Sequence, residues 1–309
     1  MTAHQKEVAD GVLSVRTLIV NLFVVREADS WVLVDCGLNG YANTIRRAAE
    51  AYVGHPRGPE AIVLTHGHFD HVGSLQALLE RWDVPVCAHP LEVPYLAGES
   101  SYPPPDPLAG GGSMALLSRL YPRGPIDVRG RLRRLSDAEV PGLPGWRWIH
   151  TPGHTAGHVS LFRDRDRTLL SGDAVITVKQ ESAIAVAMQR REMHGPPAYF
   201  TQDWYAAENS VRRLAALEPE SLLPGHGESW SGPDMRAQLH HLAEGFAGRE
   251  RPPFGRYARH PAVTDEHGIV SLPPDPLPKV VAGLAVVGAA AWALSRMHSL
   301  DSGRRRRRA

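Results

Sequence analysis

The run at residues 65–71, which reads Thr-His-Gly-His-Phe-Asp-His, restricts what this chain can fold into more than any other feature. It holds three imidazoles and one carboxylate within six consecutive residues, directly after the apolar stretch 61–64. Side chains of these types disfavour burial unless they are paired or bound to a metal ion. In an extended chain, residues two apart point the same way, so His66 and His68 can bind one cation together.

Asp70 and His71 fall where the chain enters the stretch 72–79, whose apolar residues recur at helical spacing. From the start of that predicted helix, the two side chains can reach a second cation beside the first. A cluster this short cannot complete a metal site by itself. Further ligands are therefore expected later in the chain.

Three later segments place a ligand-type side chain at or after the end of a strand-like stretch. His154 lies in a loop rich in glycine and proline, a composition that makes tight turns. Asp173 ends a short apolar stretch. His226 stands between two glycines that follow a second apolar stretch. Each of these three signals is weak alone. Together with the run at residues 65–71 they make four ligand sets at strand ends, which indicate a shared metal centre.

The ordered set His-x-His-x-Asp-His, Gly-His, Gly-Asp and Pro-Gly-His-Gly resembles the metallo-β-lactamase superfamily over residues 12–228. The resemblance implies an α/β (α+β) chain folded as a four-layer αββα sandwich. Carried over by position, it also implies which side chains bind each of two cations. These are His66, His68 and His154 for the first cation, Asp70, His71 and His226 for the second, and Asp173 as a bridge between them.

Two more residues are expected to support these ligands. Asp35, which follows an apolar strand-like stretch, looks like the family carboxylate that steadies the ligands through hydrogen bonds. Its alternative role is that of a turn former before Gly37. His158 is expected to support the ligands or to be structural, because the ligand set is complete without it.

The ligand types indicate the metal and the reaction. Five imidazoles and two carboxylates, without a thiolate, suit two zinc ions, with iron or manganese as alternatives. Such metals lower the pKa of bound water to about 7, so that hydroxide can attack a carbonyl group at neutral pH. Asp70 is the predicted catalytic residue that orients the water and accepts its proton. The predicted enzyme is a dinuclear zinc hydrolase acting on a small ester, thioester or lactone-like substrate.

The substrate and two other enzyme classes stay open. The ligand set is similar to that of the hydroxyacylglutathione hydrolase branch of the family, but the stretch after His226 does not match the glutathione-binding region of that branch. A mononuclear iron persulfide dioxygenase, which is an oxidoreductase, would not need His71 or His226. A metal-dependent phosphodiesterase or nuclease is the third alternative.

Composition favours a soluble, cytoplasmic enzyme with a small-molecule substrate and indicates no oligomeric state. The formal net charge of +1 over 309 residues does not provide the excess of positive charge that is typical of nucleic-acid-binding proteins, so no nucleic-acid partner is expected. The only two cysteines, Cys36 and Cys87, lie in apolar contexts and are expected to be buried free thiols. The first residues form no apolar leader, so a secretory signal is not expected.

Three regions are predicted along the chain. Residues 1–250 form the hydrolase domain, with a Pro- and Gly-rich insertion at 90–130 that is either a lid or a surface excursion. Residues 251–278 form a Pro-rich extension. Residues 279–309 carry an apolar helix and five terminal arginines, which either contact a membrane surface weakly, pack on the body or stay detached.

Two residues beyond Asp173 are weaker candidates for substrate contact. Lys179 and Tyr199 lie in a second segment of mixed polar and apolar composition that can form part of a pocket. The alternative is a solvated lysine and a packing tyrosine.

Overall fold

The structure is a computed structural model, and it describes residues 3–27, 30–136, 139–280 and 282. The chain divides into two units, residues 1–273 and 274–309, and the fold below is that of the first unit. Most of the predicted apolar helix and the whole arginine tail lie outside the described residues. Within the described ranges, no helix has both the length and the apolar character needed to cross a membrane.

The first half of the chain builds a seven-stranded sheet whose strands lie side by side in chain order. The first four strands pair antiparallel, and the last four, from β4 onward, pair parallel. The strands are β1 His4–Ala9, β2 Val12–Thr17, β3 Val20–Glu27, β4 Ser30–Val34, β5 Ala61–Val63, β6 Val86–Ala88 and β7 Leu132–Arg134.

The second half builds a six-stranded sheet in the order β13-β12-β11-β10-β9-β8. Its strands pair antiparallel except for β11 and β12, which are parallel. The strands are β8 Glu139–Val140, β9 Leu143–His150, β10 Val159–Arg163, β11 Thr168–Gly172, β12 Ser221–Pro224 and β13 Trp230–Ser231. A separate antiparallel pair follows, made of β14 Val263–Asp265 and β15 Gly268–Ser271.

Helices cover the outer faces of both sheets. The α-helices are α1 Ala42–Val53, α2 Phe69–Val72, α3 Leu75–Leu79, α4 Val93–Leu96, α5 Ser113–Leu117, α6 Ala183–Met188, α7 Trp204–Ala215 and α8 Pro233–Arg249. Short 3₁₀ helices occupy Pro90–Glu92, Ser118–Leu120 and Ala198–Phe200. The first sheet packs against α1 and α3 in one apolar cluster, and the second packs against α7 and α8 in another.

Alternation along the strands explains the layers. On β3, Leu22 and Val24 join the cluster under α1, whereas Phe23 and Val25 join the cluster between the two sheets. Successive strand residues point to opposite faces, so a fully apolar strand is buried on both sides. The predicted αββα sandwich is confirmed.

The local predictions hold with one interruption. Cys36 and Cys87 are buried free thiols, as expected. The helix expected over residues 72–79 is instead split into α2 and α3. The backbone of Gly73 at the break donates to Gly37 O at 2.8 Å, and a Cβ on Gly73 would collide with the backbone at Leu38.

Candidate metal centre

All seven predicted ligands lie at one edge of the sandwich, where strands of both sheets end. The segment carrying His66 to His71 follows β5, Asp173 follows β11, and His226 follows β12. His154 lies in the loop from β9 to β10. The seven side chains are buried, and Asp70 is the most exposed of them at 7%.

These side chains form three overlapping groups. Within each group, one ligand atom per residue lies within 4.8 Å of the others. The groups are His66, His68 and His154; His66, His71 and Asp173; and Asp70, His71 and His226. The structure therefore brings together the residues that the sequence assigned to two cations, although their binding of metal stays a prediction.

Hydrogen bonds behind the ligands determine which nitrogen of His66 and His71 faces the centre. The Thr65 hydroxyl donates to Asp35 Oδ2 at 2.8 Å, so it accepts from His66 Nδ1–H at 3.1 Å. His71 Nδ1–H donates to Asp35 Oδ2 at 2.9 Å. In their neutral forms both imidazoles therefore present an unprotonated Nε2, and both Nε2 atoms are buried without a hydrogen-bond partner among the described residues.

Among the other imidazoles, His226 is oriented by a similar hydrogen bond. His226 Nδ1–H donates to the backbone carbonyl of Ile19 at 2.8 Å, which leaves its Nε2 facing the carboxylates. His68 Nδ1 and His154 Nε2 face each other at 2.9 Å. A hydrogen bond from the second nitrogen, such as that of His226 to Ile19, normally orients a metal-binding histidine. His68 and His154 show no such bond among the described residues.

Distances around Asp173 fit a shared cation better than direct hydrogen bonds. Its two carboxylate oxygens lie 3.4 Å from His71 Nε2, 3.4 Å from His154 Nε2 and 3.2 Å from His226 Nε2. Charge-assisted N–H···O bonds are shorter, about 2.7–2.9 Å. Two ligands bound tetrahedrally to zinc at about 2.0–2.1 Å are separated by about 3.3 Å. The Asp173 carboxylate faces imidazoles of both predicted cation sites, as a bridging ligand must.

Burial makes the first group of imidazoles neutral ligands. It lowers the pKa of His68 to about 3, and it lowers the pKa of His66 and of His154 well below the usual value. Neighbouring imidazoles lower each of these pKa values further. Neutral imidazole is the form that binds metal ions.

Carboxylates dominate the electrostatics of the second group. Burial lowers the pKa of His71, but Asp173, Asp35 and Asp70 outweigh it and raise that pKa well above the usual value. Burial likewise lowers the pKa of His226, but Asp173 and Asp70 together outweigh it, so that this pKa is raised. The field between these side chains therefore favours a positive charge, whether a proton or a metal cation.

Asp35 and His158 lie directly behind the ligands. Besides its bonds to Thr65 and His71, Asp35 accepts the Thr65 backbone N–H at 2.8 Å. His158 Nε2 accepts the backbone N–H of Asp173 at 2.9 Å, so its Nδ1–H donates to the Thr151 hydroxyl at 2.8 Å. These contacts agree with the supporting roles expected for both residues.

An aromatic cluster that the sequence analysis did not assign adjoins the ligands. Its members are Phe69, Tyr121, Tyr199 and Phe200. The Phe200 ring centroid lies 4.6 Å from that of His68. Tyr199, a weak candidate for substrate contact, is buried in this cluster, whereas Lys179 is exposed. The cluster members come from three separate parts of the chain, so only Phe69 inside the ligand motif and the weak candidate Tyr199 pointed to them.

An apolar cleft of about 810 Å³ borders the ligand segment. Gly67 and Phe69, which alternate with ligands along the chain, form part of its wall, together with Leu18 and Ile126. Its volume lies within the range of about 300–1,000 Å³ that is usual for small-molecule sites. None of the seven proposed ligands lines the cleft itself, which lies beside the segment that carries four of them.

Comparison with known proteins gives one family. The model of the metallo-beta-lactamase superfamily matches residues 15–226. "Probable metallo-hydrolase YflN" of Bacillus subtilis is 47% identical over 241 residues, which is 77% of this chain and 91% of that protein. "Probable metallo-hydrolase YybB" of the same organism is 32% identical over 68% of this chain and 81% of its own length. An archaeal superfamily protein from Sulfolobus tokodaii has the same fold, with a TM-score of 0.52, 20% identity and coverage of 77% and 84% of the two chains.

Proposed function

This chain belongs to the metallo-β-lactamase superfamily, and we propose that it hydrolyses a small ester, thioester or lactone with the help of two zinc ions. The observation that carries the proposal is the pair of buried Nε2 atoms of His66 and His71, which meet Asp173 in one ligand group and have no hydrogen-bond partner in the described residues. Leaving such atoms unpaired costs free energy, and a bound cation would remove that cost. The names of the two Bacillus relatives, which call them metallo-hydrolases, support the reaction class.

The donor set fits the proposed metals. His66, His68 and His154 would hold the first cation, while Asp70, His71 and His226 would hold the second, with Asp173 shared. Imidazole nitrogen and carboxylate oxygen without thiolate suit zinc, and they also suit iron or manganese. When bound, the cations would lower the pKa of a water molecule and stabilise negative charge on a carbonyl oxygen.

Asp70 is the proposed proton acceptor. Its Oδ2 lies 3.5 Å from His226 Nε2, and it is more exposed than the other six proposed ligands. Burial raises the pKa of Asp70, and His71 and His226 lower it only in part. A raised pKa makes a carboxylate a better base near neutral pH, so Asp70 can accept the proton of the attacking water.

Tyr199 is the proposed substrate-orienting residue. Burial raises the pKa of its hydroxyl well above the usual value, and the Asp70 and Glu181 carboxylates raise it further. The hydroxyl therefore stays protonated at neutral pH and can donate a hydrogen bond. Because Tyr199 lies near Asp70, its hydroxyl would be close to a substrate oxygen bound at the centre.

The apolar cleft beside the ligand segment is the proposed approach route, and its walls indicate an apolar substrate group. Phe69 belongs both to the aromatic cluster and to the apolar cleft, so the two surfaces are continuous at the ligand segment. Burying an apolar group against such a wall contributes about 0.8 kcal/mol per methylene. We propose that the acyl or aryl part of the substrate binds there.

The test combines metal analysis with a substrate panel. We expect about two zinc ions per chain in the purified protein and hydrolysis of at least one class among aryl esters, thioesters and lactones. The variant His68→Ala should lose one ion and most activity. Removing even an outer partner of a ligand costs about 10- to 100-fold, so removing a ligand should cost more.

His267→Ala is the matched control, because His267 is exposed and takes no part in the ligand groups. It should keep both ions and full activity. One iron per chain with oxygen uptake on a persulfide substrate would instead assign the protein to the oxidoreductases. Cleavage of bis-aryl phosphates alone would assign it to the phosphodiesterases.

A further inference from the structure

Glu92 is a fully buried carboxylate whose two oxygens accept four hydrogen bonds. It ends the 3₁₀ helix Pro90–Glu92, at the beginning of the 90–130 insertion. Its Oε2 accepts the Gly67 backbone N–H at 3.1 Å and the Tyr102 hydroxyl. Its Oε1 accepts the Thr155 hydroxyl at 2.7 Å and the Gly157 backbone N–H at 3.0 Å.

The four donors belong to the two loops that hold the first group of imidazoles, or to the insertion itself. Gly67 separates His66 from His68, and Thr155 directly follows His154. One carboxylate therefore joins the two loops that must meet around the first proposed cation. A ligand pair from one loop and a ligand from the other can be spaced correctly only if the loops are held together.

The glycines show that this approach is close. A Cβ on Gly67 would lie 2.6 Å from the Tyr102 hydroxyl oxygen, and a Cβ on Gly157 would lie 2.8 Å from Glu92 Oε1. Neither loop could come as near to the carboxylate with a larger residue in these places. Tyr102 also packs its ring against His68, with the centroids 4.5 Å apart.

Burying a carboxylate costs free energy unless its oxygens accept hydrogen bonds from the groups around it. If Glu92 served only to hold the insertion in its fold, its bond to Tyr102 would suffice, because both residues lie within the insertion. The bonds to Gly67, Thr155 and Gly157 instead reach the ligand loops. The geometry therefore favours a role in the metal centre over a role in folding the insertion alone.

We propose that Glu92 is a positioning residue, which sets the spacing between the His66–His68 pair and His154 and thereby the affinity of the first cation. This inference rests on the proposed metal centre. It also gives the start of the insertion a function, because Glu92 and Tyr102 both brace the ligands from that segment.

The test is the variant Glu92→Gln, which keeps the shape but loses the charge and replaces one acceptor by a donor. Zinc affinities are measured by competition with a chromophoric chelator, and the cobalt-substituted protein is followed by visible absorption. We expect the affinity of the first cation to fall about 10- to 100-fold and its cobalt spectrum to change. The second cation should be affected much less.

Glu181→Gln is the matched control. Glu181 is also a buried carboxylate, and it accepts the Ala198 backbone N–H at 2.6 Å, but no hydrogen bond joins it to a ligand loop in the described residues. It should lower the free energy of unfolding without a selective loss of the first cation. Equal losses of metal in both variants would mean that Glu92 acts only through stability, which would overturn the inference.

Thr155→Val keeps the inference testable should Glu92→Gln fail to fold. It removes one of the four donors and leaves the carboxylate in place, so a smaller loss of first-cation affinity is expected. Unchanged affinity and unchanged cobalt spectra in the folded variants would overturn the positioning role while the hydrolase stands. A native protein that binds no cation would overturn both, whereas two tightly bound cations without hydrolysis would overturn the proposed reaction alone.

Discussion

Gly225 lies between the strand β12 and the proposed ligand His226, and its Cα faces the carboxylate of Asp173. A Cβ there would collide with Asp173 Oδ1 and would lie 3.0 Å from His71 Cε1. The backbone cannot move aside, because Gly225 N–H donates to Gly172 O at 2.8 Å and Gly225 O accepts from Asn21 N–H at 2.7 Å. At this position, the absence of a side chain is what allows three proposed ligands to converge.

We expect Gly225→Ala to displace Asp173 and to lower both zinc content and hydrolysis. Overpacking of this kind typically costs about 1–3 kcal/mol of stability. Gly248→Ala is the control, since Gly248 lies in α8 with open space around it. It should keep its metal and gain about 0.5–1 kcal/mol, which urea unfolding and metal analysis would measure. Full metal content in Gly225→Ala would contradict this account of the site.

The turn between β2 and β3 links the ligands to the apolar cleft. Leu18 at its tip has a φ of 64° and is 69% exposed, although bulky residues avoid positive φ. The next residue, Ile19, accepts the hydrogen bond of His226 and packs against Val186 of α6. A strained and exposed leucine at the rim of a cleft indicates a binding role rather than a packing role.

Leu18→Asn tests that role without disturbing the turn, because asparagine tolerates positive φ. With the native protein, kcat/KM for para-nitrophenyl esters should rise with acyl length, by at most about fourfold per methylene. The variant should keep its metal and its rate on the acetate ester, but its kcat/KM should rise less steeply with acyl length. Phe254→Asn, an exposed apolar residue outside the cleft, should leave the rise unchanged. An identical rise in Leu18→Asn would show that the turn does not contact the acyl group.

At the scale of the whole molecule, the described residues bury six imidazoles at the edge where the two sheets end. The inner apolar cluster between the sheets holds β5 of one sheet against β11 and β12 of the other. Those strands carry the ligand segments, so the sandwich core determines the spacing of the ligands. Stability and metal binding are therefore coupled through protonation of the same side chains.

The metal-free protein should lose stability as the pH falls below about 6.5, the usual pKa of histidine in an unfolded chain. Burial lowers the pKa of His68 and of His158 to about 3 in the folded protein, so between these limits only the unfolded chain binds the protons. Each such proton lowers the free energy of unfolding by about 1.4 kcal/mol per pH unit. The raised pKa values of His71 and His226 act oppositely, since their contribution is present below about 6.5 and lost at higher pH.

Urea unfolding of chelator-treated protein at pH 7 and pH 5.5 measures this effect. We expect a lower unfolding midpoint at pH 5.5, because four buried imidazoles with lowered pKa values outnumber the two with raised ones. Equal midpoints at the two pH values would contradict the coupling.

Several elements had a local signal and others did not. The strand ends before His66, Asp173 and His226 were visible because each apolar stretch gives way, within three residues of a ligand, to a threonine, a serine or a proline. Helix α8 was not predicted, although it has apolar residues at helical spacing, including Met235, Leu239, Leu242 and Phe246. The domain division at residue 250 stays a prediction, although Tyr257 beyond it packs into the cluster under α8.

The sequence by itself pointed to the sandwich class and the seven proposed ligands, because the ligand motifs at its strand ends occur in the order that resembles the superfamily. The tertiary structure alone decided which imidazole nitrogens face the centre, where the apolar cleft runs and that Glu92 joins the ligand loops. Glu92 is 25 residues from Gly67 and 63 from Thr155, and its neighbours in sequence carry no trace of either contact. Such contacts depend on the path of the insertion across the fold, which no spacing within the sequence encodes.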